Sequence, residues 1–174
     1  MGNAIGKLFS VLLAVLLLFI VPLMNMFEQQ DQTTRIFVLT ETTKFVDAVR
    51  NTGHIKPQMY EEFYAKLSAT QNRYKITLEH RHIKFDPIYS DPMDPSTFEE
   101  DYAVNESAYY TQDIMAVLFP DLGLGNTYSL SSGDSFLVSV ENSTKTFGTK
   151  VRQLFFGGNL PTQSIFVKYG GMIK

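Results

Sequence analysis

The chain has 174 residues, 44% of them hydrophobic and 19% charged, with a net charge of -3 and no cysteine. Its 15 Lys and Arg are scattered singly, so there is no clustered basic face for nucleic acid, and the missing thiols exclude disulfides, thiol catalysis and cysteine zinc sites. The charged fraction is too low for a disordered tail.

Lys7 is followed by an uncharged run from Leu8 to Phe27. Twenty residues at about 1.5 Å per residue cover roughly 30 Å, the hydrocarbon thickness of a bilayer. The run therefore predicts a transmembrane helix with the lipid bilayer as its first partner. It exceeds the apolar core of about 7 to 15 residues in a signal peptide, and Pro22 to Phe27 offers no pair of small residues for cleavage, so an uncleaved anchor is expected. Lys7 and the amino group precede the run, whereas Glu28 and Asp31 follow it. The positive-inside bias then predicts a single pass in the cell membrane, with the N-terminus cytoplasmic and the C-terminal domain extracellular. Pro22 and Asn25 are expected to kink the span. Gly6, Ser10 and Ala14 recur every four residues, a small-residue stripe through which homo- or hetero-oligomers could pack anchor on anchor.

Glu28 to Arg50 contains neither Gly nor Pro, and Ile36, Leu39, Val46 and Val49 fall on one predicted helical stripe. The anchor should continue outward as a stalk and end at Gly53, a residue suited to a left-handed cap. Lys56-Pro57 opens a second helix with Met59, Tyr60, Phe63 and Leu67 on one side, closed by Asn72. From Arg73 to Phe85 the period becomes two, a half-buried strand, with a slip of phase near Ile83. Asp86 to Ser96, with Pro87, Pro92 and Pro95, reads as a loop. Ser96-x-x-Glu99 resembles a capping box, and Tyr109, Tyr110, Ile114, Val117 and Leu118 predict helix before Pro120.

Thr127 to Ser131 and Ser135 to Glu141 predict a hairpin around Ser132-Gly133-Asp134. A short helix over Thr144 to Phe156, with Phe147, Val151, Leu154 and Phe155 inward, is broken by Gly157-Gly158-Asn159 ahead of a last strand, Ser164 to Tyr169. The order suits a split βαβ sheet. The expected fold is thus α+β: an N-terminal transmembrane helix continuing into a helical stalk, then a small, mainly antiparallel sheet packed on helices. The boundaries are residues 1–27 for the cytoplasmic tip and span, 28–53 for the stalk and 54–174 for the extracytoplasmic domain.

Two groups of residues could carry chemistry. His80 and His82 alternate on one strand, so their imidazoles share a face about 7 Å apart and could grip one metal ion, with His54 or Asp86 as third ligand. Exposed or aromatic-packed histidines are the plainer expectation. Asp91, Asp94, Glu99, Glu100 and Asp101 could hold calcium outside a cell, but no EF-hand pattern is present, and a solvated loop is the plainer expectation. Serine-nucleophile and phosphate-loop signatures are absent.

The apolar helix, the stretch Phe45-Val46-Asp47-Ala48-Val49-Arg50, then Gly53, Ile55, Met59-Tyr60, Phe63 and Leu67 to His82 resemble minor pilins or pseudopilins of Gram-positive Tad-type pilus or related secretion systems. The resemblance covers about the first 85 residues. It implies a non-enzymatic structural or interaction protein without a cofactor, whose exterior domain docks on other pilus or secretion membrane proteins. One departure bears on the role: no acid occurs before Glu28, whereas processed prepilins carry Glu at the fifth mature position. That departure favours an accessory component over a filament subunit. The alternative from a different class is a membrane-anchored metal-dependent hydrolase using His80 and His82.

Overall fold

The computed structural model describes residues 2–123, 125–157 and 164–174, and it opens on one helix, α1 (Gly2–Thr52). At about 1.5 Å per residue α1 is roughly 75 Å long. The helix runs through Pro22 without a break, although that ring removes one backbone donor. Its apolar first half is exposed on all sides, with a mean hydropathy of 2.7 over the most apolar window and none of that window buried. By length and composition it could cross a membrane.

The second half of α1 is part of the core. Val38, Thr42, Phe45 and Val49 are buried at helical spacing, together with Val46. The expected stripe is half corrected: Val46 and Val49 face inward, but Ile36 and Leu39 are exposed. The inward row passes instead through Thr42, whose hydroxyl is satisfied by the Val38 carbonyl at 2.7 Å and so tolerates burial. Gly53, at φ +66°, ends the helix by donating its N–H to the Val49 carbonyl.

Two-residue β1 (His54–Ile55) leads into α2 (Pro57–Ser68), which starts on its proline and buries Phe63 and Leu67. Phe63 stacks on Phe45 of α1 with ring centroids 4.6 Å apart. β2 (Tyr74–Tyr89) is longer than expected and takes in Pro87; its irregularity lies between Pro87 and Tyr89 rather than near Ile83. Its partner β3 (Phe98–Tyr110) corrects the predicted helix, which survives only as α3 (Thr111–Leu118). Ser96-x-x-Glu99 caps no helix: Glu99 accepts from the Ser90 hydroxyl, and Ser96 bonds to Asp94 within a turn.

The predicted hairpin is also corrected. β4 (Tyr128–Ser129) pairs with β1, whereas β5 (Ser135–Asn142) lies between β2 and β6 (Phe166–Met172). The main sheet has the order β3-β2-β5-β6 with every pair antiparallel. β3 and β5, joined through α3, each run antiparallel to β2 and so parallel to each other with β2 between them, a split βαβ arrangement, although β3 stands where the sequence predicts the start of a helix. β5 reaches along β2 only to Arg81, so the ends of β2 and β3 continue as a two-stranded arm that carries Phe85, Tyr89, Phe98, Tyr102 and Val104.

α4 (Phe147–Phe156) packs on α1 near Asp31. Leu154 of α4 is exposed, contrary to its predicted inward position, because α4 turns the face of Gly148 and Arg152 to α1, and two residues beyond Arg152 is about 200° round the helix. A Cβ on Gly148 would lie 2.6 Å from the Asp31 carboxylate and 3.2 Å from the Phe27 carbonyl, so glycine permits the approach. Asp31 accepts from the Thr146 hydroxyl at 2.6 Å, and Arg152 pairs with Glu28. Gly158 and Asn159, expected as helix breakers, lie outside the described residues.

Candidate functional site: a His–Asp–His cluster beneath a groove

Even-numbered residues of β2 face the core: Tyr74, Ile76 and Leu78 pack on it, and the same face continues into His80 and His82. Even-numbered residues of β5 do likewise, Val140, Val138 and Phe136 leading to Asp134 just before the strand. In the ladder His80 opposes Phe136 and Arg81 opposes Ser135, so one step further His82 lies beside Asp134. Two apolar strand faces thus end together in two imidazoles and a carboxylate.

Asp134 Oδ2 lies 2.8 Å from His80 Nε2, and Oδ1 lies 2.7 Å from His82 Nδ1. The Ser131 N–H also donates to Oδ2, at 2.7 Å. His80 Nδ1 is 2.7 Å from the Tyr128 hydroxyl, and Tyr109 stacks on the same ring at 5.4 Å. His80 and Asp134 are buried; His82 is partly open. One proton arrangement satisfies all of these contacts: Tyr128 O–H donates to His80 Nδ1, and His80 Nε2–H and His82 Nδ1–H donate to the ionised Asp134.

The charges follow from these contacts. Burial pushes the Asp134 carboxyl up, but hydrogen bonds from His80, Ser131 and His82 outweigh it and hold the group below its ordinary value. Burial, reinforced by Tyr109, Asp113 and Asp134, pushes the Tyr128 phenol up to about 12. Tyr128 is therefore a neutral hydroxyl under ordinary conditions.

A groove of about 740 Å³ opens over the cluster, flanked by Asp113, Ala116 and Val117 of α3 and by β4. Among the described residues, neither Lys nor Arg lines it. Arg81, between the histidines in sequence, points to the opposite face and pairs with Glu79 and Glu106. Each of His80, His82 and Asp134 offers a donor atom within 4.8 Å of the other two, and they form the one such group among the described residues.

The expected third ligands are placed elsewhere. His54 Nδ1 is taken by the Thr52 carbonyl, and Asp86 by Lys84 and Asn105 on the arm. Asp134 fills the role instead. Its one sequence signal is phase: it precedes Phe136, Val138 and Val140 at the same two-residue spacing. The acidic stretch does not converge: Asp91 accepts from the Met93 N–H, Asp94 from Ser96, Glu99 from Ser90 and Asp101 from the Tyr102 N–H. Gly6, Ser10 and Ala14 lie on the free half of α1, where the Ser10 hydroxyl is satisfied by the Gly6 carbonyl.

The fold and the cluster define an α+β chain, built on a long N-terminal apolar helix, with a buried carboxylate clamped between imidazoles. Compared with known protein families, curated proteins and solved structures, the chain matches none.

Proposed function

We propose that this chain is a non-enzymatic, membrane-anchored structural component of a cell-envelope pilus or secretion assembly, with its N-terminus cytoplasmic and its folded part outside the cell. One observation carries the reading: a single helix is bare and apolar for its first half and built into the domain core for its second. Such a helix holds the domain at a fixed height above a bilayer rather than on a slack tether, as an assembly part requires. The charge change from Lys7 to Glu28 and Asp31 supports the orientation. The absence of any acid before Glu28 supports an accessory place over a polymerising one.

The test uses the natural lack of cysteine. Ala14→Cys and Gly6→Cys variants are made in the cells that produce the protein, membranes are washed with alkaline carbonate, and the single thiols are cross-linked before mass spectrometry. The protein should stay with the membrane and cross-link to pilus or secretion subunits. Release by carbonate would overturn the anchor, and cross-links confined to unrelated membrane proteins would overturn the assembly role.

A further inference from the structure

We propose that His80, His82 and Asp134 form a binding site for one divalent transition-metal ion, with Zn2+ the best chemical match, at the floor of the groove beside α3. Two imidazole nitrogens and a carboxylate oxygen are the donor set of many three-ligand zinc sites, in which a fourth position is left to solvent. Here that position faces a groove of about 740 Å³.

Three independent features favour an ion over a purely structural clamp. The donors converge within 4.8 Å, so rearrangements of side chains alone bring them to a common centre. The outer contacts of a metal site are in place: His80 Nδ1 faces the Tyr128 hydroxyl, and Asp134 Oδ2 keeps the Ser131 N–H when Oδ1 turns to a metal. The groove carries Asp113 and Asp134 with no Lys or Arg among the described residues that line it, which attracts a cation.

Protons balance without a further reactant. On binding, the proton on His80 Nε2 is exchanged for one on Nδ1, which then donates to the Tyr128 oxygen. The proton on His82 Nδ1 is likewise exchanged for one on the partly open Nε2. Asp134 is already ionised, so the ring nitrogens change tautomer and no net proton is released.

The experiment takes the untagged full-length chain in detergent, stripped with chelator, and titrates it with Zn2+ by calorimetry and with Co2+ by visible absorption. Wild type should bind one equivalent, and Co2+ should show the intense bands of a tetrahedral nitrogen-oxygen site. His82→Ala, at a partly open position, should weaken Zn2+ binding by on the order of 100-fold or more, the top of the range for losing an outer-shell partner, with an unchanged circular dichroism spectrum. His54→Ala should bind as wild type does. Failure of wild type to bind either ion would overturn the proposal and leave a hydrogen-bonded clamp. So would equal affinity in His82→Ala, or loss of the ion in His54→Ala.

Discussion

Asp134 ties β2, the turn before β5 and the C-terminal segment together beside the groove. Its carboxylate accepts from two imidazoles on β2 and from the Ser131 amide, and its carbonyl accepts from the Ile173 N–H at 2.7 Å. Asp134→Asn keeps the shape but turns an N–H group towards one of those donors. The expected cost is about 2 kcal/mol, or roughly 4–8 °C in Tm, read by thermal circular dichroism at pH 7. The same residue sets an acid limit. Unfolded, the carboxyl titrates near 3.8; folded, its value is lower. Its contribution is therefore complete above about 3.8 and is lost as pH falls through the folded value. Wild type and Asp134→Asn melts should converge as pH is lowered past that point; a constant gap would show that the charge is immaterial.

Elements differ in how they are held, and the difference explains which of them the sequence disclosed. α2, β2 up to Leu78 and β5 each bury one face against α1 or its neighbours, so Phe63, Leu67, Leu78, Phe136, Val138 and Val140 repeat with the period of their element. β3 buries none of its residues, so Phe98 to Tyr110 has no apolar alternation to read and its tyrosines blend into the helical spacing of α3. The hairpin misled for another reason: local turn chemistry at Ser132-Gly133-Asp134 is real, but β4 is claimed by β1 through tertiary pairing. The site was half legible, since alternation places His80 and His82 together while the approach of Asp134 depends on a register between distant strands. The same contrast predicts dynamics. The arm beyond Arg81 has one neighbour per strand and rests on ring contacts such as Phe98 with Tyr89 and Tyr102. Its amides should exchange with deuterium at least about tenfold faster than those of Ile76 to Leu78, because two-stranded ribbons are marginal in water. Equal protection along β2 would mean that the arm is covered by something beyond its own strands.

At the scale of the molecule, α1 is at once anchor and core, and its two halves should respond differently to removal. Residues 4–26 bury no apolar side chain, whereas Glu28 and Asp31 fasten α4 through Arg152 and Thr146, and Val38 to Val49 fill the space beneath the sheet. A chain starting at Glu28 should therefore need no detergent and should melt cooperatively within a few degrees of the full chain. A chain starting at Val38 keeps the central contacts of α1 but loses both ties to α4, which leaves the Thr146 hydroxyl and the Arg152 guanidinium without those partners. The Thr146 hydroxyl keeps Thr149 as a partner, lying 3.0 Å from that residue's hydroxyl and accepting its N–H. The loss is therefore one hydrogen bond to a charged acceptor, about 1.5–3 kcal/mol, and a partly open ion pair at Arg152 that contributes less. The expected result is a Tm lower by roughly 3–8 °C, most of it from Thr146, with early exchange confined to α4. If the chain from Glu28 aggregates without detergent, the apolar half of α1 has a second role as a cover for the domain. If instead the two truncations melt alike, the join between α1 and α4 carries no stability, and the domain rides on its helix through the sheet alone.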